Sequence, residues 1–469
     1  MDAANLVAGE WVEGPKTFDV LDKYHLAPFA LVAGADEALV ERAVGSARKA
    51  FEAGLPDAYD RAGILLRVRD LVAERREAFR DTMVREAGFP SRDADGEIDR
   101  ALQTLALSAE EAKRLSGQTV PFEGAPDGGK RIGFTLRVPV GLVAAITPFN
   151  APLNTVCHKV GPAFAGGNAV VLKPSDKTPL TAELLARCFV DAGAPAGSLT
   201  VLQGGADVGQ ALLRDERIDY YAFTGSTAAG RAIQAAAGLR RTQMELGSIA
   251  ATVVMGDADI EAAATSCVGP SFRKAGQVCT SIQMLLVEEP VYARFRDKFV
   301  ERASKLRAGD PSDPATDVGP VISEDAARRI ERTLQEAHGT LVLGGAREGA
   351  VIAPSVLEDM PDDAAVFRTD EIFGPAVVLR RFEGVDEAIR MVNGTIYGLA
   401  TGLFTRDIGA AFKAARELRV GAVHVNQTSS SRVDLMPYGG TKASGFGHEG
   451  PAHAIREMTE ERLVTFSSV

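Results

Sequence analysis

Cys279 and Glu245 are the side chains whose type and setting point to covalent chemistry. The thiol sits in Ala275-Gly276-Gln277-Val278-Cys279-Thr280-Ser281, and the carboxylate in Met244-Glu245-Leu246-Gly247. A thiol becomes a working nucleophile when its pKa is lowered or a base lies beside it. Gly276, Gln277, Thr280 and Ser281 make poor core, so the setting favours a reactive loop over the small buried hydrophobe that a cysteine often is. If both groups face one cavity, the chain attacks a carbonyl carbon. Taken singly, Glu245 also fits a solvated surface carboxylate. Asn150, in Thr147-Pro148-Phe149-Asn150, also fits a helix cap.

The elements that would hold these loops can be read from periodicity. The first stretch is helix-rich, with apolar residues at helical spacing over 36–54, 59–88 and 97–116, interrupted by Gly54-Leu55-Pro56 and Gly88-Phe89-Pro90. Residues 131–138 alternate like a strand with one face exposed. From Gly141 the texture changes. Short apolar runs at 142–147, 169–173, 199–202 and 219–223 alternate with helical patterns such as 181–192 and 227–237. That alternation predicts βαβ units around a parallel sheet buried on both faces. A second α/β stretch runs from Ala250 to about Lys442. Residues 462–466 alternate like an edge strand that pairs either with 131–138 or with another subunit.

Loops that follow strands carry ligands in such sheets. Gly225-Ser226-Thr227 opens a helix directly after a strand and would offer free N–H groups to a pyrophosphate. Gly204-Gly205-Ala206-Asp207-Val208-Gly209 is a second strand-to-helix turn. Neither is a Walker loop, since Gly230 is followed by Arg231-Ala232. Lys173, at the end of an apolar strand, fits either a snorkelling surface lysine or a partner for ribose hydroxyls, with Asp176 close by.

The bulk numbers limit the alternatives. A chain of 469 residues exceeds one compact core. A net charge of -11 argues against a nucleic-acid partner. No apolar run approaches the roughly 20 residues of a membrane span. The N-terminus has no signal-peptide pattern, and Cys157, Cys188, Cys267 and Cys279 lack a disulfide framework, so a reducing cytoplasm is expected. No metal-ligand spacing is present.

Together these segments closely resemble the aldehyde dehydrogenase superfamily. The likeness rests on Thr147-Pro148-Phe149-Asn150, Lys173-Pro174-Ser175, Phe223-Thr224-Gly225-Ser226, Glu245-Leu246-Gly247, Gly276-Gln277-Val278-Cys279, Glu371-Ile372-Phe373-Gly374-Pro375 and Pro437-Tyr438-Gly439-Gly440, in unbroken order. It implies an α/β fold: a Rossmann-like cofactor-binding domain (1–117 and 140–247), an α/β catalytic domain (248–442) and a small β oligomerisation element (118–139 and 443–469). It also implies Cys279 as nucleophile, Asn150 as oxyanion donor and Glu245 as the base that hydrolyses the acyl-enzyme. Lys173 and Glu371 correspond to ribose contacts, Gly225 and Ser226 to the pyrophosphate turn, and Phe373 to the nicotinamide neighbour. Thr147, Pro148, Ser175, Asp176, Gly205, Gly209, Thr224, Leu246 and Gly247 complete the expected NAD surface. NADP remains open, because Lys177 beside Asp176 favours a 2′-phosphate that Asp176 repels.

A resemblance to the lactaldehyde, phosphonoacetaldehyde and non-phosphorylating glyceraldehyde-phosphate branch nominates Arg100, His158 and Arg432 for gripping a hydroxylated or anionic substrate. Each also fits an ordinary structural charge. Val278 replaces the arginine usual in the glyceraldehyde-phosphate enzymes. The family implies a homodimer or homotetramer. A thiol esterase or a non-catalytic relative is the competing reading.

Overall fold

The computed structural model describes residues 2–467. Two open sheets carry most of the chain. The first has eight strands in the order Glu10–Val12, Asn5–Val7, Leu199–Val201, Ala169–Lys173, Leu142–Ile146, Tyr220–Thr224, Arg241–Glu245, Gly445–Phe446. Its middle five strands are parallel. They are short and apolar because helices cover both faces. Val143, Ala145, Val170 and Leu172 point into one core, and Leu142, Ala144, Ala169 and Val171 into the other, following the two-residue period of a strand.

Chain order in this sheet reverses at Leu142–Ile146. The chain first steps to Ala169–Lys173 and Leu199–Val201, then crosses to the far side to lay down Tyr220–Thr224 and Arg241–Glu245. Two strands whose connections leave in opposite directions open a crevice at their carboxyl ends. The loops at that crevice are Thr147–Asn150 and Gly225–Ser226.

The second sheet runs Thr340–Leu343, Ser355–Glu358, Ala376–Phe382, Ile282–Glu288, Ala250–Val254, Ala400–Phe404, Ala422–Val425, parallel except for the first edge strand. The Cys279 loop links helix Ile260–Phe272 to strand Ile282–Glu288, so it enters at the amino end of that strand.

Several expectations need correction. The region 59–88 is two helices, Ala58–Glu74 and Arg76–Glu86, because Arg75 leaves helical geometry (φ -92, ψ 20). The third helix starts at Ser91, directly after Pro90, and runs 24 residues to Arg114. The first 34 residues also contain four strands, two of them in the Lys16–Leu21 and Pro28–Gly34 hairpin. Asn150 caps no helix; the next one begins at Asn154.

The terminal strand Thr459–Ser467 pairs antiparallel with Arg131–Pro139 across nine residue pairs. This ribbon exposes Ile132, Leu136, Leu463 and Phe466. Parts of 443–467 also pack on the first sheet and its helices. Gly445–Phe446 zips onto Met244 and Glu245, and Pro451–Glu457 packs on helices Ser91–Arg114 and Asn154–Ala165.

The zip needs glycine. Gly445 has φ +100, and a Cβ there would lie 1.9 Å from Met244 O. Gly445→Ala is expected to lower unfolding stability by roughly 2 kcal/mol or more, read as a shifted denaturant midpoint.

Candidate active site

One cavity of about 310 Å³ lies where the first sheet's crevice meets the Cys279 loop. Asn150, Glu245 and Cys279 all line it, together with the Gly225–Ser226 turn. Glu245 ends its strand paired to Thr224 on one side and Gly445 on the other, which fixes its backbone in the sheet.

The cysteine loop is built on a left-handed turn. Lys274, Ala275 and Gly276 have φ of 51, 53 and 68. For Lys274 and Ala275 this costs of order 1 kcal/mol or more each. Two carboxylates hold it. Asp93 Oδ2 accepts from Lys274 N at 2.9 Å, and Glu97 Oε2 meets Lys274 Nζ at 2.6 Å in a buried ion pair. Gly276 is required here, since a Cβ would lie 2.0 Å from Gly374 O.

The same cluster orients the presumptive oxyanion donor. Lys274 Nζ donates to Asn150 O at 3.2 Å, and Glu97 Oε1 accepts from Asn154 N at 2.8 Å. Asn150 Nδ2 donates to Gln277 O at 2.8 Å, two residues before the thiol. One amide N–H is thereby tied down and the other is left for a ligand. The Cys279 N–H finds no acceptor among the described residues.

Burial pushes the Cys279 thiol up to about 11, and Tyr438 opposes that shift. Tyr438 Oη lies 2.7 Å from Cys279 Sγ, a donor placed to stabilise a thiolate. Arg432 stacks on the Tyr438 ring with its guanidinium carbon 3.7 Å from the centroid. Glu245 is raised well above the usual carboxylate range by burial and then by the Glu449 carboxylate. Its Oε1 is buried without a partner, so the carboxyl is available to water or ligand.

The expected cofactor residues divide into two groups. Pro148, Thr224, Gly225, Ser226, Leu246, Gly247, Glu371 and Phe373 line the cavity. Thr147, Lys173, Ser175 and Asp176 lie at the neighbouring strand ends, and Gly205 and Gly209 in the first turns of helix Ala206–Arg214. The chemistry of both groups fits a dinucleotide. Glu371 is driven up to about 8 by burial, and one of its oxygens accepts from Ser248 N. Lys173 is drawn down to about 8 by burial, and its Nζ donates to Pro174 O. A desolvated carboxylate and a desolvated ammonium with so few partners are suited to hydroxyl groups. Thr147 Oγ1 is also buried without a partner. Ser226 caps helix Thr227–Ala237, whose N-terminus faces the cavity side of the turn. Gly247 allows Glu371 close, as a Cβ would meet Glu371 Oε2 at 2.8 Å. Phe373, with φ 47, contacts Phe149 edge to face at 5.9 Å.

The three nominated substrate-anion residues are already committed. Arg432 pairs with Glu449 Oε2 at 2.8 Å, and Arg100 with Asp434 Oδ1 at 2.6 Å. His158 is fully buried, bonds Asp434 at 2.8 Å and does not line the cavity. Burial and Arg432 lower its pKa, so it stays neutral. The physical reason is prior pairing: both arginines already contact a buried carboxylate, Glu449 or Asp434, before any ligand arrives.

Several residues escaped the sequence reading. Tyr438 stood in a quoted motif without a role. Lys274 adjoins the quoted Gly276 segment. Glu97, Lys159 and Glu449 gave no local signal, because Lys159 meets Glu449 across most of the chain at 2.9 Å.

Comparison with known proteins agrees with this geometry. The family model described as "Aldehyde dehydrogenase family" matches residues 11–464. A 3-sulfolactaldehyde dehydrogenase of Priestia aryabhattai is 46% identical over 465 residues, covering 98% of this chain and 97% of the relative. The crystal structure of aldehyde dehydrogenase 21 from Physcomitrella patens, in complex with the reaction product succinate, aligns with a TM-score of 0.96 and 35% identity, covering 99% of this chain and 98% of that one. Glyceraldehyde-3-phosphate dehydrogenase GapN from Methanocaldococcus jannaschii, complexed with NADP, aligns with a TM-score of 0.92 and 35% identity, covering 96% of this chain and 99% of that one.

Tyr438→Phe removes a donor to the thiolate, so the Cys279 pKa must rise. Alkylation of Cys279 by iodoacetamide at pH 8 is expected to slow by roughly tenfold, in line with about one hydrogen bond to a charged group, with its pH profile displaced to the alkaline side.

Proposed function

The chain belongs to the aldehyde dehydrogenase family, and from that premise we propose that it oxidises a small hydroxylated aldehyde bearing an anionic group to the free carboxylate. It is an NAD(P)-dependent aldehyde dehydrogenase. The observation that carries the mechanistic reading is the single cavity shared by Cys279, Glu245, Asn150 and the Gly225–Ser226 turn. The similarity to a 3-sulfolactaldehyde dehydrogenase makes that aldehyde the leading candidate.

Cys279 passes its thiol proton to water in the cavity while Tyr438 donates to the thiolate, and Sγ then bonds the carbonyl carbon as the C=O π pair moves onto oxygen. Asn150 Nδ2 and the Cys279 N–H hold the oxyanion where charge develops. Lys173, Glu371 and the Ser226 helix start would hold NAD(P), which when bound would supply the hydride acceptor for the oxidation. Glu245 then takes a proton from water, which attacks the thioester on Cys279 and releases the acid. A carboxylate at this position favours water over coenzyme A as the acyl acceptor.

Asp176 and Lys177 form a pair, with Lys177 Nζ 3.4 Å from Asp176 Oδ2. The lysine is thereby offset and a 2′-phosphate meets the carboxylate. This reading favours NAD. The four free cysteines suit a cytoplasmic enzyme. The exposed apolar ribbon suits a homodimer or homotetramer. Two separate sheets, one carrying Glu245 and the other following the Cys279 loop, support a domain division at 247/248.

Four measurements test these assignments. Cys279→Ala is expected to abolish turnover while leaving NAD affinity within a few-fold. Glu245→Gln is expected to give one burst of NADH per site and then stall; steady turnover without a burst removes Glu245 from deacylation. Because burial and Glu449 raise Glu245, wild-type deacylation should speed up as pH rises above neutral. For the cofactor, kcat/KM with NAD is expected to exceed that with NADP by about tenfold or more, the scale of one unscreened like-charge contact.

A further inference from the structure

Lys23 carries a charge that the proposed chemistry does not use, yet only 3% of its surface is exposed. It sits in the turn of the N-terminal hairpin, between strands Lys16–Leu21 and Pro28–Gly34. Asp22 fixes that turn, its Oδ1 accepting from Tyr24 N at 3.0 Å and His25 N at 2.9 Å. Lys23 Nζ donates to Leu21 O at 2.8 Å and to Lys177 O at 3.2 Å. Among the described residues no carboxylate lies within ion-pair distance of it. Burial draws its pKa down to about 8, and Glu86 is the foremost of the charges that oppose the fall.

A buried ammonium costs free energy that an apolar side chain of similar length would not. What the chain gains is a grip on one loop. Between strand Ala169–Lys173 and helix Pro179–Asp191, that loop carries Asp176, half-buried, and Lys177, exposed. Lys23 holds its middle at the Lys177 carbonyl. Glu86, fully buried, holds its far end by accepting from Leu180 N at 2.9 Å, Thr181 N at 2.8 Å and the Thr181 hydroxyl. The same hairpin reaches the second expected cofactor turn, where Lys16 Nζ lies 3.2 Å from Asp207 Oδ2. That pair is exposed and contributes little. The Lys23 contacts are buried and directional, so they decide where the loop sits.

We propose that Lys23 is a positioning residue for cofactor choice, fixing the loop so that Asp176 meets the ribose 2′-hydroxyl and refuses a 2′-phosphate. This rests on the reading of Asp176 as the ribose carboxylate. Lys23 touches no ligand and acts through the Lys177 carbonyl. With that carbonyl released, Asp176 loses its fixed place and Lys177 is no longer held against it. NAD then binds less well, and the penalty on NADP falls.

The experiment compares wild type with Lys23→Met, which removes the donors at similar length, and Lys23→Gln, which keeps an N–H for the carbonyl. In Lys23→Met, KM for NAD is expected to rise roughly tenfold, the scale of one hydrogen bond to a charged group. KM for NADP should hold or fall, while kcat and the aldehyde KM stay unchanged. Lys23→Gln should lie between the two. Calorimetry with 5′-AMP and 2′,5′-ADP gives a readout independent of turnover: the first should weaken in Lys23→Met and the second should not. Equal losses for both nucleotides, or a fall in kcat at a constant NAD/NADP ratio, show a merely structural role and overturn the proposal. Unchanged KM values overturn it as well. If Lys23→Met does not fold, Lys23→Gln carries the same comparison. A wild type that prefers NADP fails the Asp176 reading alone: a ratio shifted in the variants still assigns the loop's position to Lys23, and an unshifted ratio overturns that assignment.

Discussion

The Lys274–Glu97 ion pair, 2.6 Å long and buried, is the contact on which the site's geometry depends. Glu97 belongs to a long helix packed on the helices that cover the first sheet, whereas Lys274 belongs to the loop that delivers the thiol to it. The pair thus ties the cofactor side to the nucleophile. It also reaches Asn150 through the Lys274–Asn150 O bond and Asn154 through the second Glu97 oxygen. Losing one member of a buried pair leaves an uncompensated charge and typically costs about 3–5 kcal/mol. Here the loss would also release two residues from a left-handed turn they adopt only under constraint.

A second set of charges frames Glu245. Lys159 and Arg432 both contact Glu449, and His158, Arg100 and Asn154 converge on Asp434. Burial works against ionised Glu449, but Lys159 and Arg432 outweigh it and hold it well below the usual carboxylate range. Its fixed negative charge then helps to keep Glu245 high. One carboxylate is held ionised and its neighbour is held above the usual carboxylate range, so the two differ in role because their environments differ.

Much of the fold was legible because parallel strands buried on both faces leave continuous apolar runs, as at Ala169–Lys173. The N-terminal hairpin was not. Lys16–Leu21 mixes exposed and buried positions and carries no run. The break at Arg75 was hidden because neither glycine nor proline marks it. In the site, Cys279, Glu245 and Asn150 came together because strand-end loops retain their motifs. Arg432 and His158 looked free only because their carboxylates lie far away in sequence. His158 and Asp434 are 276 residues apart, a pairing that no local pattern encodes.

The closing strand Gly445–Phe446 bears on the life of the newly made chain. Until the final segment leaves the ribosome, the strand that ends in Glu245 has a bare edge, and Tyr438, Arg432 and Glu449 have only just been synthesised. A nascent or prematurely terminated polypeptide therefore exposes its thiol without the surroundings that tune it. Tuning of the thiol therefore waits for a tyrosine made 159 residues after it.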